Sequence, residues 1–404
     1  MLGLPFYIVK PLISLIFSVF LFFCLSVYQS LAQNDKITLP VNRIQDTLKK
    51  KRAADKTKGK EVVIITGSTA GIGLNLATEL YGLGFQVIVA SRSKDKCAAA
   101  KEEIEKAHPK SEGGVDFHPL DVGDLESVNA FVKWFKSKYS ELHYLVNNAG
   151  IHYQQGVDTK LMKKEDVMTK QGYDEVFATN YLGHFLLTHQ LLPMIKKGRV
   201  VHIASGLHYG ADGTTLVPSA AHGGMPDAAD GKGRGMIHRM NAYGVSKLAQ
   251  VLHTHSVTKI LKNDKRDKDV QIISVCPGWV KTNMIPVGPI GQIIFRFAFP
   301  ARAAILTPIM AIIDPSLQGG EFVTNYQMPL AQGRLGRMIL AAFTKVGLRD
   351  IFTGVLAFAI ALFESNSFGF HRQLPSEESL DEKLGQQLYD WSLNELTQKG
   401  FITK

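Results

Sequence analysis

Tyr243 and Lys247 stand four residues apart in the run YGVSK. On a helix that spacing puts a phenol and an ammonium on one face. The cation then favours the phenolate and draws the tyrosine pKa down from its usual value of about 10. A phenol tuned in this way is a general acid usable near neutral pH, suited to protonating a carbonyl oxygen as the carbonyl is reduced. The reductant has a matching signature upstream, in TGSTAGIG at 66–73. Glycine serves at Gly67 for a tight turn, at Gly71 for backbone approach to a pyrophosphate, and at Gly73 for close helix packing, with Ser68, Thr69 and Ile72 completing the turn. The turn follows the strand-like EVVIITG and opens a helical stretch, the setting in which such a pattern holds a dinucleotide at a helix N-terminus.

The end of the second strand separates the two nicotinamide cofactors. An acidic residue about 20 positions after the turn accepts hydrogen bonds from a free ribose. This chain instead has Ser91, Arg92 and Lys94, with no acid before Asp95. A hydroxyl and a guanidinium suit a 2′-phosphate, so the expected cofactor is NADP(H).

Seven β-rich runs position these residues: EVVIITG, QVIVASR, VDFHPLDV, LHYLVNNAG, GRVVHIAS, VQIISVCPG and GEFVTNY, separated by helical stretches or loops. Strands apolar on both faces that alternate with helices predict an α/β fold, a doubly wound, mostly parallel seven-stranded sheet of Rossmann type with helices on both faces. The catalytic domain is expected over 61–404, interrupted at 206–240 (a Gly-, Ala-, Asp- and His-rich loop), at 284–300 (apolar, broken by proline and glycine) and at 327–372. The last contains the uncharged IFTGVLAFAIALF, too short for a span and read as a buried or interfacial helix. Residues 34–60 are polar and lysine-rich and read as a linker.

Composition excludes several classes. The chain has 404 residues, 45% hydrophobic and 20% charged, which rules out disorder and allows one large core. Its three cysteines, Cys24, Cys97 and Cys276, form neither a disulfide framework nor a zinc motif, and fit reduced thiols. Of these, Cys276 sits in an apolar strand and reads as a small core residue. The net charge of +10 suits an acidic surface or a phosphate-bearing ligand, and without a recognisable binding module nucleic acid is not an expected partner. No metal site is expected, because His253 and His255 do not share a helix face and no HExxH is present. From Pro11 to Val27 the chain is uncharged and almost wholly apolar, close to the roughly 20 residues of a bilayer span. Residues 1–33 are therefore expected to form an N-terminal membrane helix. Lys36, Arg43 and Lys49 to Arg52 after it place the domain on the cytosolic side, as at the endoplasmic reticulum. The alternative is a secreted or luminal protein, with residues 1–32 removed as a signal peptide.

With these motifs in order, the chain resembles the short-chain dehydrogenase/reductase family from about residue 58 onward, through its TGxxxGxG turn and YxxxK pair. The resemblance implies that Asp121 and Val122 contact the adenine ring, that Asn148 of NNAG lines the cofactor, and that Val280 and Thr282 of PGWVKT meet the carboxamide. It also assigns Asn180 in TNYLGHFLLT, Ser205 in VVHIAS, Tyr243 and Lys247 to a catalytic tetrad, and it implies a homodimer. Each tetrad residue has a chemical role of its own. Ser205 closes a strand at the carboxyl edge and can stabilise developing oxyanion charge. Lys247 can hold the nicotinamide ribose, and Asn180 can position a water that relays protons. Among family members the chain is most similar to membrane-associated retinol dehydrogenase-like proteins, which implies a lipophilic alcohol or carbonyl as substrate. The competing reading is a catalytically silent scaffold that keeps the fold and binds NADP(H). His208, Tyr209, His222 and His238 fall in the 206–240 stretch and are expected at the substrate entrance.

Overall fold

The computed structural model describes residues 39–55, 60–152, 168–211, 213, 216, 236–266, 269–278, 280–281, 298–325 and 370–403. The expectations placed on 1–33, on Thr282 and on most of the stretches at 206–240, 284–300 and 327–372 lie outside them.

One sheet organises the domain. Its strands are β1 (Val62–Thr66), β2 (Gln86–Ser91), β3 (Gly114–Pro119), β4 (Tyr144–Asn147), β5 (Gly198–Ile203), β6 (Val270–Cys276), β7 (Phe322–Thr324) and β8 (His371–Gln373), in the order β3-β2-β1-β4-β5-β6-β7-β8. The first seven run parallel, and β8 closes the edge antiparallel to β7 with Phe322 opposite Gln373. The seven strands expected are all present, and the eighth corrects the count. It carries His371, Arg372 and Gln373, so it has no apolar pattern to read. Backbone pairing recruits it, helped by Gln373 Nε2 donating to Thr324 Oγ1 at 2.7 Å and by Arg372 bonding to Ser316 and Glu321.

Alternation along β1 divides the core. Val63 and Ile65 face α2 (Gly71–Gly82), α3 (Lys94–Ala107) and α7 (Leu306–Ile313). Val62 and Ile64 face the opposite layer of α4 (Leu125–Lys138), α5 (Gly183–Leu191), α6 (Met236–Asn263) and α8 (Glu382–Gln398). Side-chain caps mark where several of these helices begin. Ser93 accepts from Lys96 N–H, Asp124 from Glu126 N–H, and Asp381 from Lys383 and Leu384 N–H.

Two stretches differ from their sequence readings. The 34–60 linker contains a helix, α1 (Val41–Asp55), docked on the first layer through Ile44 and Leu48. Two apolar residues four apart are too few to register as a period, and charge completes the docking. Lys51 and Arg52 reach the buried Glu61 at 2.8 and 3.2 Å, and Tyr144 Oη donates to the same carboxylate at 2.7 Å. Burial pushes the Glu61 pKa up, but these partners outweigh it and hold the carboxyl below its ordinary value. At the other end of the site, residues 236–240 belong to α6 and not to a loop.

Among the described residues no helix is long and apolar enough to cross a membrane. The expectation of a membrane-anchored protein at the endoplasmic reticulum thus finds no support among the described residues and is withdrawn. The apolar stretch behind that expectation itself lies outside the described residues.

Candidate active site

The strand order reverses between β1 and β4, because the chain winds outward through β2 and β3 before returning to β4. Ligands bind at the carboxyl ends of strands at such a switch point. The glycine turn after β1, Asn148 after β4 and Ser205 after β5 all lie on that edge.

The turn is built by close approach. Gly67 and Gly71 have φ of +66° and +57°, a region L side chains rarely adopt. A Cβ on Gly73 would lie 2.5 Å from Gly67 O and 2.6 Å from Asn148 Nδ2, so helix α2 meets the turn with no room for a methyl group. Asn148 secures it from β4, with Nδ2 donating to Thr66 O at 2.7 Å. Thr66 Oγ1 in turn accepts the Asn148 and Ala149 N–H groups at 2.9 and 2.8 Å. Ser68 is fully buried, donates to Ile65 O at 2.7 Å and accepts from Ala90 N–H at 3.1 Å. Its side chain therefore ties β1 to β2 and is not presented to a ligand, a correction to its expected role. Thr69 remains at the edge, where its hydroxyl meets Ser91 Oγ at 3.3 Å, and Ile72 is half-buried in the first turn of α2.

Arg92 follows β2 with its side chain exposed. Its charge reaches Glu175, whose carboxyl is raised by burial while Arg92 opposes the rise. Asp121 Oδ1 accepts Gly123 N–H at 3.0 Å and shapes the turn after β3. Val122 is buried behind that turn, and its carbonyl would stand 1.8 Å from a Cβ on Gly183, which sets how closely α5 approaches. Val280 is buried and bridges to Phe299.

The four tetrad residues converge. Ser205 caps a short helical turn, Gly206–Gly210, its Oγ accepting Leu207 N–H at 3.2 Å, and its hydroxyl is hydrogen-bonded to that of Tyr243. Lys247, on the same face of α6, has Nζ 5.3 Å from the Tyr243 ring centroid. That Nζ donates to Ile203 O at 2.7 Å and to Gln250 Oε1 at 3.1 Å. The electrostatics differ from the sequence argument. Burial raises the Tyr243 phenol above its ordinary value, while the Ser205 bond works against the rise. Burial also lowers the Lys247 ammonium to about 7. In this site desolvation outweighs the attraction between the pair, so both groups favour their neutral forms.

Asn180 sits in a π-helical turn, Ala178–Leu182, where Gly183 N–H bonds back to Ala178 O. Such a turn departs from the α-helical ladder and is frequent at functional sites. The Asn180 side chain is engaged by Ile151 and Ser246, and its carbonyl by Gln250 and His184. The amide clamps the segment after β4 and is not free to position a relay water by itself.

Several participants were not read from the sequence. His152 packs its ring 5.1 Å from that of Tyr243. Cys276, expected as a core residue and buried, also accepts Gly206 N–H at 3.1 Å behind the Ser205 turn. Gln250 lies three residues after Lys247 and seven after Tyr243, so helical spacing could have placed it on the same face. His208 and Tyr209 do not line an entrance. His208 is buried, with Nδ1 at 2.7 Å from Ser205 O and Nε2 accepting Ser376 N–H, and Tyr209 donates to Leu374 O. They fasten the segment before α8 over the Ser205 turn. His222 and the side chain of His238 lie outside the described residues. Among the described residues no group of three or more His, Cys, Asp or Glu is arranged to hold a metal.

The family model for short chain dehydrogenase matches residues 61–221. The chain is 32% identical over 279 residues to short-chain dehydrogenase TIC 32 B, chloroplastic, of Brassica napus, a match covering 65% of this chain and 79% of that protein. It is 32% identical over 285 residues to human polyprenol dehydrogenase, covering 65% of this chain and 76% of that one. It is 34% identical over 228 residues to retinol dehydrogenase 12 of Bos taurus, covering 56% and 63%. A chloroplastic relative gives no support to the localisation withdrawn above.

Proposed function

Because this chain belongs to the short-chain dehydrogenase/reductase family, oxidoreductases that act on CH–OH groups with nicotinamide cofactors, we propose that it interconverts a lipophilic alcohol and its aldehyde or ketone using NADP(H). The observation that carries this reading is the convergence of Ser205, Tyr243 and Lys247 at the carboxyl end of β5, beside the glycine turn at the switch point. Two relatives are named for long apolar alcohols, polyprenol and retinol, which supports a substrate of that class.

The residues present fit the cofactor. The turn has no room for side chains at Gly67 and Gly73, takes a positive φ at Gly67 and Gly71, and brings backbone N–H groups to the α2 N-terminus, as a pyrophosphate requires. Thr69, Ser91 and Arg92 would hold the 2′-phosphate end, Asp121 and Val122 the adenine, and Asn148, Val280 and Lys247 the nicotinamide end. When bound, the nicotinamide supplies the hydride that reduces the carbonyl carbon. The chain's own residues handle the oxygen. Ser205 donates to it and stabilises its developing negative charge. Tyr243 gives it a proton, and its raised pKa keeps that proton in place until the oxyanion forms. In its protonated form Lys247 has a third N–H, beyond those spent on Ile203 and Gln250, that is left for the ribose.

The test is NADPH oxidation by the full chain with retinal, long-chain polyprenyl aldehydes and steroid ketones. Turnover with at least one of these, abolished in Tyr243→Phe, is expected. Full turnover in that variant on a substrate the wild type reduces would sink the reading.

A further inference from the structure

Gln250 is 1% exposed and uses both ends of its amide. Nε2 donates to the Asn180 carbonyl at 2.8 Å, and Oε1 accepts from Lys247 Nζ at 3.1 Å. The orientation is determined by its neighbours. A backbone carbonyl only accepts and an ammonium only donates, so flipping the amide would set acceptor against acceptor and donor against donor. The Asn180 carbonyl is itself fixed from a third element, since His184 Nδ1 lies 3.2 Å from it and His184 Nε2 lies 2.9 Å from Thr66 Oγ1. A continuous line of buried polar groups thus runs from the end of β1 through the π-helical turn to Lys247.

We propose that Gln250 is a positioning residue for Lys247, fixing its Nζ between Ile203 O and the reaction site and stabilising its protonated form through an acceptor held rigid by Asn180. The proposal deepens the reading of Tyr243 and Lys247 as a proton-handling pair and rests on it. The requirement is physical. A buried ammonium loses hydration and needs acceptors in its place. The groups that face Nζ do little to supply them. Tyr243 presents its ring from the same helix. His184 of α5 and His202 of β5 are driven by burial toward neutrality. Cys276 of β6 acts on it only through charge. Among the described residues Ile203 O and Gln250 Oε1 are the two oxygens it bonds, and Gln250 is the one a substitution can remove. A fixed dipole aimed at Nζ also prevents the flexible lysine stem from swinging away from the ribose side.

The experiment follows the ε-carbon resonances of ¹³C-labelled lysines in the full chain, without added cofactor, as pH is varied, with Lys247 identified by its absence in Lys247→Met. Gln250→Met preserves length and removes the amide. It is expected to lower the Lys247 titration midpoint by about one pH unit or more. Gln250→Glu places a carboxylate against Nζ and is expected to raise the midpoint by at least as much. Should Gln250→Met fail to fold, the upward shift in Gln250→Glu decides alone. Midpoints unmoved in the folded variants overturn the proposal, because a packing role would leave them in place. The pH limb of kcat/KM for carbonyl reduction is expected to move with the midpoint. The resonance measurement needs no turnover, so failure of the oxidoreductase reading would appear separately, as an inactive wild type whose lysine still responds to Gln250.

Discussion

Asn180 and Ile151 bond to each other as paired strand residues do. Ile151 N–H donates to Asn180 Oδ1 at 2.8 Å, and Asn180 Nδ2 donates to Ile151 O at 3.0 Å. One side chain thus fixes the backbone that leaves β4 and carries His152 toward Tyr243. Asn180→Ala leaves both Ile151 groups without this partner in a half-buried place. It is expected to destabilise the protein by about 2–4 kcal/mol and to lower kcat by at least about tenfold. Denaturant unfolding and steady-state kinetics check the two effects, and unchanged kcat would remove Asn180 from the working site.

Gly73→Ala brings a methyl group to 2.5 Å from Gly67 O, an approach the turn cannot relieve without moving. A loss of about 1–3 kcal/mol of stability is expected. NADPH affinity, measured by fluorescence titration, is expected to fall more than tenfold, because the displaced backbone is the proposed phosphate cradle.

Arg92 decides between cofactors if it holds a 2′-phosphate. Arg92→Ala is expected to weaken NADPH binding by about 10- to 100-fold, the loss of a charge-assisted contact, while leaving NADH binding unchanged. Equal losses for both cofactors would assign Arg92 a structural role.

Lys247 makes stability depend on pH in a defined window. Its folded value is depressed to about 7 from an ordinary 10.5. Between those values the unfolded chain holds a proton that the folded chain has released, so stability rises with pH, by up to about 1.4 kcal/mol per pH unit. Below pH 7 both states are protonated and the dependence vanishes. Lys247→Met lacks the slope, so urea unfolding of the two proteins at pH 7 and pH 9.5 is expected to show the wild type gaining on the variant. A constant difference would refute the assignment.

Asp174 has the opposite sign. It is fully buried, with Oδ1 capping Phe177 N–H at 2.8 Å and Oδ2 without a partner among the described residues. Burial, with Glu175 nearby, pushes its carboxyl up to about 8 from 3.8. Between those values the folded chain holds the extra proton, so this group's contribution to stability declines as pH rises through the window. Asp174→Asn keeps the cap oxygen and carries no charge. Relative to wild type its stability is expected to improve from pH 5 to pH 8 by about 1–3 kcal/mol. A wild type that matches the variant at both pH values would exclude the raised carboxyl.

The residue sequence determined the parallel sheet, the glycine turn and the shared helix face of Tyr243 and Lys247. Those features rest on local spacing: apolar runs long enough for buried strands, glycines where backbone must approach, and a phenol and an amine one helical turn apart. Tertiary structure decided what depends on distant neighbours. Strand β8 has no apolar pattern and exists because β7 offers it an edge. Helix α1 has two apolar contacts and forms where Glu61 waits to pair with it. Ser68 stands in a ligand-binding motif yet spends its hydroxyl on joining two strands. The direction in which Tyr243 and Lys247 titrate was also settled by folding. Spacing encodes their attraction, but burial sets the dielectric around them, and desolvation there outweighs the pair.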